Sequence, residues 1–137
     1  MPSHKTICSI AFLLLSCVVS ACNVQSNESV STVTHVTPNE AEAWLEKDAT
    51  IVVLDIRTPE EFAAGHIPGA INIDYHAPDY AAKIKALDTS KTYLMHCAGG
   101  DRSGRSLALF AEVGLDKLLH LEAGFSGWDA ANLPIEK

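Results

Sequence analysis

From residue 34 onward, short apolar runs alternate with stretches of helical spacing. Thr34-His35-Val36 predicts a brief strand, and Thr37-Pro38 opens a helix: threonine caps, proline suits the first turn, and Glu40 stands where a capping box needs it. Ile51-Val52-Val53-Leu54 is an unbroken branched run, the pattern of a strand covered on both faces. Asp55 and Arg57 stand at its carboxyl end. Thr58-Pro59-Glu60-Glu61-Phe62 starts another short helix, Gly65-His66-Ile67-Pro68-Gly69 is a turn, and Ala70-Ile71-Asn72-Ile73 returns as a strand. Tyr80, Ile84 and Leu87 share one helical face, which predicts an amphipathic helix from Ala77 to Leu87. Thr92 to His96 is the next strand, and Ser103 to Val113 the next helix, with Leu107, Phe110 and Ala111 on one side. Leu118 to Leu121 closes the strand count, and Gly124 to Ala131 forms a last helix with Trp128 packing inward.

Strands alternating with helices imply right-handed crossovers, hence an α/β domain: a mostly parallel five-stranded sheet with helices on both faces. In such sheets ligands bind beyond the carboxyl ends of the strands. Asp55, Arg57 and Cys97 all fall at that edge.

The first 21 residues follow a different pattern. His4 and Lys5 precede an apolar run from Ile7 to Val19, too short to cross about 30 Å of hydrocarbon comfortably, and small residues follow; this predicts a secretory signal. Val19-Ser20-Ala21-Cys22 resembles the lipobox of bacterial lipoproteins, although Val19 stands where leucine is commoner. That resemblance implies cleavage before Cys22, acylation of its thiol and a place on the periplasm-facing outer membrane. Plain cleavage after Ala21 would instead give a secreted or periplasmic soluble protein. Residues 22–33 are polar and lack periodicity, which predicts a tether, with the domain at 34–137. If Cys8 and Cys17 leave with the signal and Cys22 carries lipid, Cys97 alone stays free and a disulfide scaffold is excluded.

A chain of 137 residues with 47% hydrophobic and 20% charged residues is one globular domain's worth, which argues against disorder, collagen or a multi-pass membrane protein. The net charge of -7 argues against broad binding to nucleic acid, which needs a surplus of Lys and Arg.

Cys97-Ala98-Gly99-Gly100-Asp101-Arg102-Ser103 concentrates the chemistry. A cysteine at a strand end, two glycines that let backbone N–H groups turn inward, and a helix start make an anion cradle. Such a cradle and the Arg102 guanidinium favour thiolate over thiol. A lone cysteine after an apolar strand is ordinarily a small buried hydrophobe, and these neighbours reverse that expectation.

With these residues in view, the sequence resembles a single-domain rhodanese, a sulfurtransferase, from about Val36 to Trp128. Three separated motifs carry the resemblance: Val53-Leu54-Asp55-Ile56-Arg57 with Glu60-Glu61-Phe62; Gly65-His66-Ile67-Pro68-Gly69-Ala70-Ile71-Asn72; and the Cys97 to Ser103 loop. Leu121 to Trp128 resembles the family's ending, with Ala123 in place of a glycine, and Gly99 stands where the family often has serine. Related cysteine phosphatases place one more residue between Cys and Arg; the four here, Ala98 to Asp101, fit a persulfide sulfur better than a phosphate and disfavour a phosphatase or arsenate reductase.

The resemblance implies a Cys97 thiolate that takes sulfur from a donor such as thiosulfate and passes it to a thiol or cyanide. It implies further that loop N–H groups from Ala98 to Arg102 hold the anion, with Ala98, Gly99, Gly100, Asp101 and Ser103 binding substrate, while Arg102 points at the substrate or locks the loop against a carboxylate. Asp55 and Arg57 are expected as a supporting ion pair, with Arg57 reaching the donor anion as the alternative, His66 as a hydrogen-bonded turn residue, and Arg105 as a solvated surface charge. No cofactor is implied. His35, His76, His96 and His120 lack metal-ligand spacing, so no metal is expected. The implied partners are a small sulfur donor, a thiol acceptor that includes an unknown protein, and the membrane through Cys22. A tethered sulfur carrier or binding module with little turnover is the alternative to an enzyme.

Overall fold

The computed structural model describes residues 32–115 and 117–137. The signal segment, most of the expected tether and Cys22 lie outside the described residues. In chain order the elements are β1 (Thr32–Val36), α1 (Pro38–Lys47), β2 (Val52–Asp55), α2 (Pro59–Ala64), β3 (Ile71–Asn72), α3 (Tyr80–Lys85), β4 (Thr92–His96), α4 (Asp101–Val113), β5 (Lys117–Leu121) and α5 (Gly124–Ala130).

The five strands form one sheet in the order β1-β5-β4-β2-β3, with every pair parallel. Helices cover both faces, as expected from the alternation of elements. On one face Leu54, Ile56, Tyr93, Met95 and Leu118 pack with Tyr80 and Ile84 of α3 and Phe110 of α4. On the other, Val36, Val53, Leu94, Leu119 and Leu121 pack with Ala41 of α1, Ile67 and Trp128 of α5. The period of two within each strand produces this division, because neighbouring residues project to opposite sides. Trp128 packs inward as expected, and its indole N–H donates to the Pro134 carbonyl at 2.8 Å.

Both early helices start with a capping box followed by proline in the first turn: Thr37 with Glu40, as expected, and Thr58 with Glu61, which the structure adds. Of the boundaries that differ from expectation, three change the reading of the chain. β1 begins at Thr32, inside the segment expected as tether, because Thr32 and Val33 pair with Lys117 and Leu118 of β5. The helix expected from Ala77 contracts to Tyr80–Lys85, since the backbone from Asp74 to Tyr80 is spent on tight turns before it coils. α4 begins at Asp101 rather than Ser103, so Asp101 and Arg102 belong to a helical first turn instead of a loop.

Candidate active site

The carboxyl edge of the sheet carries two polar clusters, one on each face. On the α5 side, Asp55 ends β2 fully buried and accepts from the Arg57 backbone N–H at 2.9 Å and from its guanidinium at 2.6 Å. Arg57 also donates to the Gly65 carbonyl at 2.7 Å and lies over the Phe125 ring at 4.0 Å. The Asn72 amide closes the corner by donating to the Asp55 and Arg57 carbonyls at 2.9 and 2.8 Å. Nε and Nη2 of Arg57 are thus both spent on Asp55 and the Gly65 turn.

His96 completes this cluster. Its Nδ1 faces the Cys97 carbonyl at 3.0 Å and therefore donates, which leaves Nε2 bare in the neutral ring, 3.7 Å from Asp55 Oδ2 and without a hydrogen bond. Burial pushes the imidazole below its ordinary pKa, against the pull of Asp55 towards the charged form.

On the opposite face Cys97 leaves β4 and the chain turns sharply into α4. Gly100 adopts a φ of 97°, and a Cβ there would strike the Glu122 carbonyl. The turn is held from α5, whose Phe125 and Ser126 N–H groups donate to the Cys97 and Ala98 carbonyls at 2.8 and 2.9 Å. The glycines thereby aim N–H groups at sulfur: that of Gly100 lies 3.1 Å from Sγ. Burial, with Cys97 only 1% exposed, pushes the thiol up, but hydrogen bonds from the Ser103 hydroxyl and from the N–H groups of Ser103, Gly100 and Gly99 outweigh it. The thiol pKa falls below its ordinary value, so more of it is nucleophilic thiolate at neutral pH.

Arg102 sits in the first turn of α4. Its guanidinium grips Glu61 of α2 with two parallel bonds of 2.8 and 2.7 Å, and its charge favours an anion on Cys97. The hydrogen bonds from Arg102, helped by one from Thr58, lower the Glu61 pKa to about 2, and the pair in turn raises that of Arg102. Arg102 thus locks the first turn of α4 to α2 with its charge beside the thiol.

The other expected residues divide by role. Gly99, Gly100 and Ser103 turn donors to sulfur; Ala98 contributes its carbonyl to the bond that anchors α5. Asp101 faces solvent and pairs with Arg105 at 3.2 Å, which leaves Arg105 the surface charge it was expected to be. His66 is a bonded turn residue, its Nδ1 at 3.0 Å from the Phe62 carbonyl.

Two contributors were missed. Glu61 is one, since no spacing along the chain tells that Arg102 reaches it. His120 interrupts the apolar strand β5 near its carboxyl end, and that single polar position was the available signal. Its Nε2 lies 2.9 Å from Ser103 Oγ, which is 3.4 Å from Sγ. On its other side its Nδ1 lies 3.1 Å from His35 Nδ1, and that atom is 3.2 Å from Glu122 Oε1. Burial lowers the His120 pKa, and the neighbouring His35 lowers it further. His35, His120 and Glu122 group together here, which distance along the chain conceals because β1 and β5 pair in parallel.

A family model described as a rhodanese-like domain matches residues 37–131. An uncharacterized protein of Synechocystis is 33% identical over 109 residues, a match covering 78% of this chain and 59% of that protein. The thiosulfate sulfurtransferase GlpE of Stutzerimonas stutzeri is 33% identical over 94 residues, covering 68% of this chain and 82% of the enzyme. Among solved structures, a rhodanese-related protein from Thermoplasma volcanium superposes with a TM-score of 0.66 at 26% identity, over 74% of this chain and 96% of that one.

Proposed function

Because the chain belongs to the rhodanese-like domain family, we propose that it is a sulfurtransferase carrying sulfane sulfur as a persulfide on Cys97. The observation that carries this reading is the convergence of the Gly99, Gly100 and Ser103 donors on one buried sulfur. Donors fixed around sulfur stabilise an anion there without reorganising when the reaction occurs.

The Cys97 thiolate attacks the outer sulfur of thiosulfate; a bond forms from Sγ to that sulfur, the thiosulfate S–S bond breaks, and sulfite leaves with the bonding electron pair. An acceptor thiolate or cyanide then attacks the outer sulfur of the persulfide, and Cys97 departs as thiolate. The same N–H groups favour the anion at both stages, and Arg102 adds positive charge beside it.

The test is thiosulfate-to-cyanide transfer by the full chain, with intact-mass detection of about 32 Da, one sulfur atom, after exposure to thiosulfate alone. Turnover and adduct are expected together, and Cys97→Ser abolishes both without unfolding the domain. Turnover retained in that variant overturns the mechanism. An adduct without turnover favours a sulfur carrier.

For localisation we propose that Cys22 is lipidated and holds the domain at the periplasmic side of the outer membrane, on the support of the Val19-Ser20-Ala21-Cys22 pattern after an apolar run. Cys22→Ala is expected to move the protein from the membrane to the soluble fraction; membrane retention in that variant counts against the anchor.

A further inference from the structure

We propose that His35, His120 and Glu122 form a binding site for a divalent transition-metal ion such as zinc, separate from the catalytic loop and linked to it through Ser103. The parallel register of β1 and β5 sets His35 directly opposite His120, and Glu122 follows the end of β5. Both imidazoles present Nδ1 to the same point, 3.1 Å apart, with the Glu122 carboxylate 3.2 Å from that of His35. Ligand atoms at about 2.0–2.2 Å from a tetrahedral zinc lie roughly 3.3–3.5 Å from one another, so these two edges need to open by only a few tenths of an ångström. The third edge, from His120 to Glu122, is no longer than 4.8 Å, and the exposed Glu122 side chain is free to shorten it.

The donor set selects the class of ion. Two imidazole nitrogens and one carboxylate suit zinc, nickel or copper, whereas calcium and magnesium want more oxygen. His120 is buried in the sheet and fixes the position, while the side chains of His35 and Glu122 are 48% and 65% exposed, so an ion reaches them from solvent and keeps positions for water.

The surroundings of His120 supply what a metal-bound imidazole requires. An ion on Nδ1 leaves the hydrogen on Nε2, and Nε2 already faces Ser103 Oγ at 2.9 Å, an outer partner of the kind that orients ligating histidines. That tautomer makes His120 the donor and Ser103 the acceptor, which frees the serine's own hydrogen for Cys97 Sγ at 3.4 Å. The opposite tautomer draws the serine hydrogen towards His120 instead. Metal at the rim therefore favours the Cys97 thiolate by fixing a hydrogen position, without touching sulfur. The binding claim stands independently of sulfur transfer, because its readout is the ion.

The experiment titrates the full chain with Co2+, read by its visible absorption, and then displaces it with Zn2+. Binding of one ion per chain is expected, weakened more than about tenfold in His35→Ala and in Glu122→Ala, since loss of even an outer-shell partner costs that much. Both residues are exposed, so the variants keep the fold, checked by unchanged far-ultraviolet dichroism. Cys97→Ser is expected to bind as the wild type does. No binding, equal binding in His35→Ala, or binding lost in Cys97→Ser each overturns the site. In a second measurement, alkylation of Cys97 by iodoacetamide, followed on its own peptide, is expected to quicken with Zn2+ in the wild type and not in His35→Ala. An unchanged rate in the wild type overturns the link through Ser103.

Discussion

At the scale of single residues the site turns on one hydroxyl hydrogen. Ser103 Oγ lies within reach of Cys97 Sγ at 3.4 Å, the Gly100 carbonyl at 3.1 Å and His120 Nε2 at 2.9 Å, yet it has a single hydrogen to give. Its bond to sulfur is the first of the interactions that overcome burial and lower the thiol pKa. Ser103→Ala is therefore expected to move the pH midpoint of Cys97 alkylation upward, because the variant loses a donor to the thiolate while burial persists. A hydrogen bond to a charged group contributes about 1.5 kcal/mol or more, so transfer at neutral pH should fall about tenfold. An unshifted alkylation profile would show that the backbone N–H groups suffice.

Between elements, the joint that matters is the one from α2 to α4. Glu61 serves at once as the capping carboxylate of α2, accepting from the Thr58 N–H at 2.9 Å, and as the partner of Arg102 in the first turn of α4. The Glu61 side chain is 35% exposed and that of Arg102 18%, so solvent screens the pair and its contribution is about 1 kcal/mol. Because folding lowers the Glu61 pKa from 4.5 to about 2, the stabilisation is complete above about 4.5 and disappears as the pH falls towards 2. Glu61→Gln should accordingly be less stable than the wild type at neutral pH, with the gap closing across that acidic window. Urea midpoints at several pH values measure it, and a gap independent of pH would exclude the ion pair as its source.

Over the whole molecule, the pleat separates support from chemistry. Asp55, Arg57 and His96 tie β2 and β4 to the Gly65 turn and α5 on one face, while sulfur, Ser103, His120 and His35 line the other. Arg57 and Asp55 are nearly inaccessible, so Arg57→Met strands a buried carboxylate and is expected to cost about 3–5 kcal/mol in urea unfolding. A loss below about 1 kcal/mol would mean that Asp55 takes up a proton or finds another partner at small cost.

The order of strands and helices, the capping box at Thr37, and the Cys97 loop at the sheet's carboxyl edge were legible along the chain, because each depends on period, caps or glycines within a few neighbouring residues. Asp55 and Arg57 could be paired for the same reason, standing two residues apart. The grip of Arg102 on Glu61, 41 residues away, depends on how α2 and α4 pack, and the sequence left that side chain free to point at substrate. Likewise His35 and His120 are separated by 85 residues, and only the pairing of β1 with β5 makes them opposite neighbours. Local chemistry determined which groups reach the edge of the sheet; the packing of distant elements decided which of them share a proton, a charge or an ion.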